Sequence, residues 1–147
     1  MAEALLRDLL ERKGLKEIEV SSAGIHALAG EKAPLACTRV LARRGIDITG
    51  HRGRQLDQSM IDEADLILTM EVRHLDWIIS LISDRARQER KVLLLGEFAP
   101  EGGNEIADPF GGNDQEYQDC LDHIEETMAG LLERIHGHLS PGEGMGT

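Results

Sequence analysis

Two uninterrupted apolar runs constrain this chain more than any other feature. Leu66-Ile67-Leu68-Thr69-Met70 and Val92-Leu93-Leu94-Leu95 are of strand length and show no polar alternation, which is the pattern of strands covered on both faces. The stretch 74–82 between them has helical character, so the pair reads as a parallel βαβ crossover. A third apolar stretch with a β-branched residue, 18–22, ends in Ser22-Ala23-Gly24 and is predicted to be a first buried strand. Around these runs the spacing predicts helices over 2–13, where Leu5, Leu6, Leu9 and Leu10 precede Gly14, over 34–44, closed by Gly45, and over 57–64. The polar segment 83–91 reads as a loop or a ragged helix end. From Asn113 a capping-box pattern opens the longest helix, with Tyr117, Leu121, Ile124, Met128, Leu131 and Ile135 on one face. The expected fold is α/β: one domain over 1–139, a three-layer open parallel sheet with helices on both faces, followed by a disordered tail over 140–147. Ligands of such sheets sit beyond the carboxyl ends of the strands, which directs attention to the loops after Ser22, Met70 and Leu95.

Charge and cysteine content narrow the function classes. With 27 acidic against 16 basic side chains the net charge is -11, which repels nucleic-acid phosphates and anionic membranes. No apolar run approaches the roughly twenty residues of a membrane span, and the first residues do not resemble a signal peptide. The expected location is the cytoplasm. Cys37 and Cys120 are the only cysteines, too few for a disulfide framework and not at zinc spacing. No metal or organic cofactor is implied, and His136 with His138 falls at a helix end that would not support ligand geometry.

The stretch Asp108-Pro109-Phe110-Gly111-Gly112-Asn113-Asp114 carries the chemistry. By composition alone it is a turn ending one element and capping the next. Pro109 fixes its own φ and biases Asp108 to extended geometry, which suits a carboxylate held at a loop edge. This stretch resembles the general-acid loop of the low-molecular-weight phosphotyrosine phosphatases. Met1-Ala2-Glu3-Ala4 resembles the helix start that follows that family's phosphate loop, and Val20-Ser21-Ser22-Ala23-Gly24 its strand-to-loop turn. Arg44-Gly45-Ile46 with His51-Arg52-Gly53-Arg54, and then Ala64-Asp65-Leu66-Ile67-Leu68-Thr69-Met70, complete the series in order. The resemblance implies a cysteine-dependent phosphatase acting on a phosphorylated protein through a phosphocysteine intermediate. Asp108 then takes the acid/base role, Ser22 and His51 brace the phosphate loop, and Leu28 and Phe110 wall the substrate pocket. Taken alone, Ser22 is a strand-end turn residue and His51 a loop histidine.

The family pattern also calls for a first strand and a Cys-x5-Arg loop ahead of the position of Met1, and the 147 residues as written do not contain them. The expectation is a chain without turnover, either because translation was assigned from an internal Met or because the chain is a fragment. Its one internal match, Cys37-Thr38-Arg39-Val40-Leu41-Ala42-Arg43, fails on geometry, since helical residues at about 100° each set Cys37 and Arg43 roughly 240° apart. Cys37 reads as a core residue beside Val40 and Leu41, and Cys120 has Glu126 six residues on, where a phosphate would be repelled. By the same resemblance the absent strand belongs inside the sheet, between the first and second strands of this chain. Each backbone group so left buried and unpaired costs about 1 to 3 kcal/mol, which predicts marginal stability or self-association through exposed strand edges. Phosphotyrosine and phosphoarginine are both candidate substrates. Gly111 stands where tyrosine-type members carry a second aromatic, as in the protein-arginine-phosphatase branch, whereas arsenate reduction needs cysteines that 70–90 lacks. A non-catalytic module whose acidic surface meets a basic partner is the competing reading.

Overall fold

The computed structural model describes residues 1–103 and 105–139. Six α-helices are seen there, α1 (Ala2–Arg12), α2 (Leu35–Ala42), α3 (Gln58–Glu63), α4 (Val72–Ser80), α5 (Arg85–Lys91) and α6 (Asp114–Leu139), with a 3-10 helix over Leu95–Phe98. Two strands, β1 (Ile67–Thr69) and β2 (Val92–Leu94), pair in parallel with Ile67 opposite Val92 and Thr69 opposite Leu94. The fold is α/β, and the reason the apolar runs do not alternate is visible in their packing. Ile67 and Val92 turn to one face, where they join Ile61 of α3 and Ile78 of α4. Leu66, Leu68 and Leu95 join the larger core under α1, α2 and α6 on the other face. Both sides of β1 are therefore apolar, as a sheet with helices on both faces requires.

Residues 18–22 correct the sequence reading. They form no strand, and among the described residues the sheet has two strands, not three. Ile18 and Val20 do pack against the core, but no ladder neighbour takes their backbone groups, and the Val20 carbonyl accepts instead from the Arg7 guanidinium at 2.6 Å. Side-chain burial alone does not make a strand, because a ladder needs a second backbone alongside. The segment 83–91 is the second correction. It closes into α5, with the Asp84 carboxylate accepting from the Ala86 and Arg87 amides at 3.0 and 3.3 Å. This helix has no apolar stripe because it is anchored by polar bonds: Gln88 donates to the carbonyls of Ile79 and Ile82, and the Lys91 ammonium to the carbonyl of Asp62 at 3.1 Å. Burial pushes that lysine's pKa down.

α6 organises the larger core. Its capping box is formed: the Glu116 amide donates to Asn113 Oδ1 at 2.9 Å and the Asn113 amide to Glu116 Oε2 at 3.1 Å. Leu121 and Leu131 are fully buried, as are Val40 and Leu41 of α2. Two arginine straps hold α2 to α6. Arg39 forks onto Asp114 at 2.7 and 2.9 Å, and Arg44 reaches Asp122 at 3.2 Å and Glu125 at 2.5 Å. Gly130 lets the backbone at Phe98 approach, since a Cβ there would stand 2.5 Å from the Phe98 carbonyl oxygen. The expected tail, 140–147, lies outside the described residues, and among those residues no helix is long and apolar enough to cross a membrane.

Candidate active site

The chain returns to the carboxyl end of β1 through one bond, the Ile106 amide donating to the Met70 carbonyl at 2.9 Å. Ile106 is buried, and beside it Glu105 Oε1 accepts from the amide of Val72 at 2.6 Å, at the first turn of α4. This places residues 107–112 at the edge where ligands of parallel sheets bind. The loop is closed by its own atoms. Asp108 Oδ1 accepts from the Phe110 amide at 3.0 Å, and the Gly112 amide donates to the Pro109 carbonyl at 2.8 Å. Gly111 has φ +80°, a backbone conformation that a side chain rarely tolerates, so the turn is of a type that demands glycine at its third position. Phe110, at the tip, is 80% exposed.

Asp108 and Phe110 line one hollow of about 400 Å³ with Glu116, Asp119, Cys120 and His123 of α6. The Asp108 charge reaches several neighbours. It helps hold Tyr117 and Cys120 protonated, although burial is the main cause for both, and Cys120 is pushed up to about 11. It also strengthens the protonation of Arg73, after the dominant contribution of Glu71, which that guanidinium meets at 2.7 Å.

Ser22 and His51 come together on a residue that sequence reasoning did not single out, Glu3 in the first turn of α1. The Ser22 hydroxyl donates to Glu3 Oε2, His51 Nδ1 lies 3.8 Å from the same oxygen, and Arg7 pairs with Oε1 at 2.6 Å. The only available signal was the i,i+4 pairing of Glu3 with Arg7, which ordinarily marks a solvated helix face. The loops carrying these residues are zipped to each other: the Gly24 amide donates to Arg54, Gly30 to Gly53 and Gly53 back to Glu31, at 2.8 to 2.9 Å. Leu28 sits at this junction but is 75% exposed and lines neither the Asp108 hollow nor the larger one, of about 820 Å³, between α1 and α6. Glu3, in the first turn of α1, thus gathers Ser22 and His51.

Residues 1–140 match the family described as low molecular weight phosphotyrosine protein phosphatase. The chain belongs to that family. Among its relatives is a protein-arginine-phosphatase of Geobacillus stearothermophilus, 35% identical over 127 residues, which are 86% of this chain and 83% of the relative. The low molecular weight protein-tyrosine-phosphatase Etp of Escherichia coli K12 is 33% identical over 125 residues, 85% of this chain and 76% of that one. The solved structure of the YwlE arginine phosphatase from Geobacillus stearothermophilus superposes with a TM-score of 0.77 at 34% identity, covering 93% of this chain and 84% of the other. A low molecular weight protein tyrosine phosphatase from T. tengcongensis gives 0.80 at 28% identity, covering 90% and 88%.

In this phosphatase-family chain the one internal Cys-x5-Arg is a piece of the scaffold. Cys37 lies within α2, 5% exposed, and burial pushes its thiol up, the reverse of what a nucleophile needs. Arg43 is spent on Asp114 at 3.4 Å. Among the described residues no group of three His, Cys, Asp or Glu side chains is placed to hold a metal ion.

Proposed function

We propose that this protein belongs to a reaction in which phosphate is removed from phosphorylated protein side chains through a phosphocysteine intermediate, with Asp108 as the acid and then the base. The observation that carries the reading is the self-closed turn at 108–112. One carboxylate oxygen of Asp108 holds the turn by accepting from Phe110, while the group as a whole stays exposed at the sheet's carboxyl edge. A group so placed can protonate the departing atom and later take a proton from the attacking water. Ser22 and His51, through Glu3, fix the head of α1, where amide groups favour an anion. Phe110, which lines the Asp108 hollow, is the apolar wall a substrate side chain meets.

Phosphoarginine is favoured over phosphotyrosine. Gly111 at φ +80° leaves Phe110 as the single aromatic of the turn, which weakens stacking on a phenyl ring, and the carboxylates of the hollow suit a guanidinium. A second reading, favoured by the net charge of -11, is a binding module for a basic partner. The two free cysteines suit a reducing compartment, and we place the protein in the cytoplasm.

The test joins a strand and Cys-x5-Arg-Ser loop of the family pattern ahead of Met1 and assays peptides phosphorylated on arginine or on tyrosine. Turnover that disappears with Asp108→Ala, and is higher on arginine, is the expected result. Turnover by the 147-residue chain alone, or an Asp108→Ala variant as fast as its parent, overturns the reading. Among the described residues the sheet has two strands, and the edge of β1 away from β2 further implies that the chain alone is marginally stable or self-associates. A monomer with one cooperative thermal transition in sedimentation and calorimetry contradicts that part.

A further inference from the structure

We propose that the end of α4 and the outer side of α5 form a docking surface for an acidic segment of another protein, with an apolar side chain of that segment seated against Trp77. Trp77 is the only tryptophan of the chain, and it stands at the surface, 40% exposed, with Leu81 at 38%. The two are four residues apart, and Leu81 keeps helical backbone at the C-cap of α4, so they share one face. α5 is held against this end of α4, since the Gln88 side-chain amide donates to the carbonyls of Ile79, at 2.8 Å, and of Ile82. The sequence of α5, Arg85-Ala86-Arg87-Gln88-Glu89-Arg90-Lys91, carries four of the chain's 16 basic side chains and one of its 27 acidic ones. Lys91 is buried, which leaves three guanidinium groups at the surface.

These cations can serve a partner. Arg85 meets Glu89 at 3.3 Å with its side chain 90% exposed, a pairing worth little to the isolated chain. Arg87 and Arg90 each give one N–H to a carbonyl, of Asp62 and of Ala86, and a guanidinium has five such donors in a fork that fits a carboxylate. Tryptophan and arginine are also the side chains most enriched where protein interfaces concentrate their energy. The sign of the patch selects the partner. The chain as a whole, at -11, repels an acidic segment, but at physiological salt the screening length is about 8 Å, so on the surface the local excess of arginine decides. Asp84 and Glu89 do not cancel it, because the first caps α5 and the second is paired with Arg85. α4 opens beyond the carboxyl end of β1, and α5 runs directly into the amino end of β2, which is parallel to β1. The docking surface therefore lies towards the amino ends of the strands, away from the edge that carries Asp108, and a partner held there leaves that edge open to substrate. The hollow beside Asp108 is lined by carboxylates, so the two surfaces select ligands of opposite charge.

The single tryptophan is its own reporter. The folded 147-residue chain is titrated with a synthetic peptide of repeated Glu-Glu-Leu, followed by Trp77 emission and by the anisotropy of the same peptide carrying fluorescein. Binding is expected to move the emission to the blue, to weaken as salt is added, and to weaken about tenfold when Ser replaces Leu in the peptide. A peptide of repeated Lys-Lys-Leu leaves the emission where it was. Arg85→Ser combined with Arg90→Ser weakens the acidic peptide about tenfold with the far-ultraviolet circular dichroism unchanged. If that double variant does not fold, Arg85→Ser alone, at a side chain 90% exposed, still weakens it. No shift with the acidic peptide, an equal shift with the basic one, or arginine variants that bind like the parent overturns the proposal. A blue shift that grows with protein concentration alone, with dimers in sedimentation, assigns the patch to a second copy, and a shift with phosphatidylserine vesicles but not with the peptide assigns it to a membrane; either result also overturns it. None of these measurements uses turnover, so a failure here leaves the phosphatase reading untouched, and the converse holds.

Discussion

The turn at Asp108 and residues 18–22 differ in what they need to take shape. The turn at 108–112 is complete in itself. Its two closing bonds span two and three residues, and Gly111 supplies the one conformation that other residues resist. Residues 18–22 carry a buriable apolar pattern, but among the described residues no strand pairs with them, and an arginine side chain takes one carbonyl. Local chemistry fixes a turn, whereas a strand is a property of two segments.

The comparison is most exposed to Asp108→Asn in protein supplied with the nucleophile loop. The rate is expected to fall about a hundred- to ten-thousand-fold, while the thermal midpoint stays where it was, because an amide oxygen can still accept from Phe110. A midpoint that collapses together with the rate would make Asp108 scaffolding. Next in size is a pair of core substitutions. Leu41→Ala, at a fully buried position, should cost about 2 to 5 kcal/mol in denaturant unfolding. Val20→Ala, in the unpaired segment, should cost under about 1 kcal/mol, since the side chain is only partly covered and its methyl groups number few. Equal costs would show that 18–22 is held as firmly as the core. Gly111→Ala follows, at roughly 1 to 2 kcal/mol from forcing a Cβ into left-handed backbone, with a rate loss exceeding the stability loss.

The smallest effect concerns Asp114, which the Arg39 guanidinium holds below the usual carboxylate range. A depressed carboxylate contributes stability above its unfolded pKa, and that contribution fades as pH falls through the folded value. The acid limb of the stability curve should therefore flatten slightly in Asp114→Asn. An unchanged limb would mean that the strap between α2 and α6 carries no net energy, as many exposed pairs do not.

How much could be read beforehand follows the same division. α6 was legible because its capping box and apolar period are local signals of great length. The two strands were legible because apolarity on both faces leaves an unbroken run. α5 was not, because its anchors are the polar groups of Asp84, Gln88 and Lys91, bonded to carbonyls that only the fold brings near. The turn at Asp108 was legible as a motif, though the left-handed Gly111 that shapes it was not. Ser22 and His51 were named by resemblance, but their meeting point was hidden, since Glu3 lies 19 residues before Ser22 and presents itself as half of an ordinary helix pair.

The sharpest test uses a series of aryl phosphates whose leaving phenols span a wide range of acidity, with the nucleophile loop supplied. If Asp108 hands over the proton, the parent enzyme's rate is nearly indifferent to the leaving group, and in Asp108→Asn it falls steeply as the phenol becomes less acidic. Parallel slopes for parent and variant would contradict the account, because a carboxyl group that donates no proton cannot flatten that dependence.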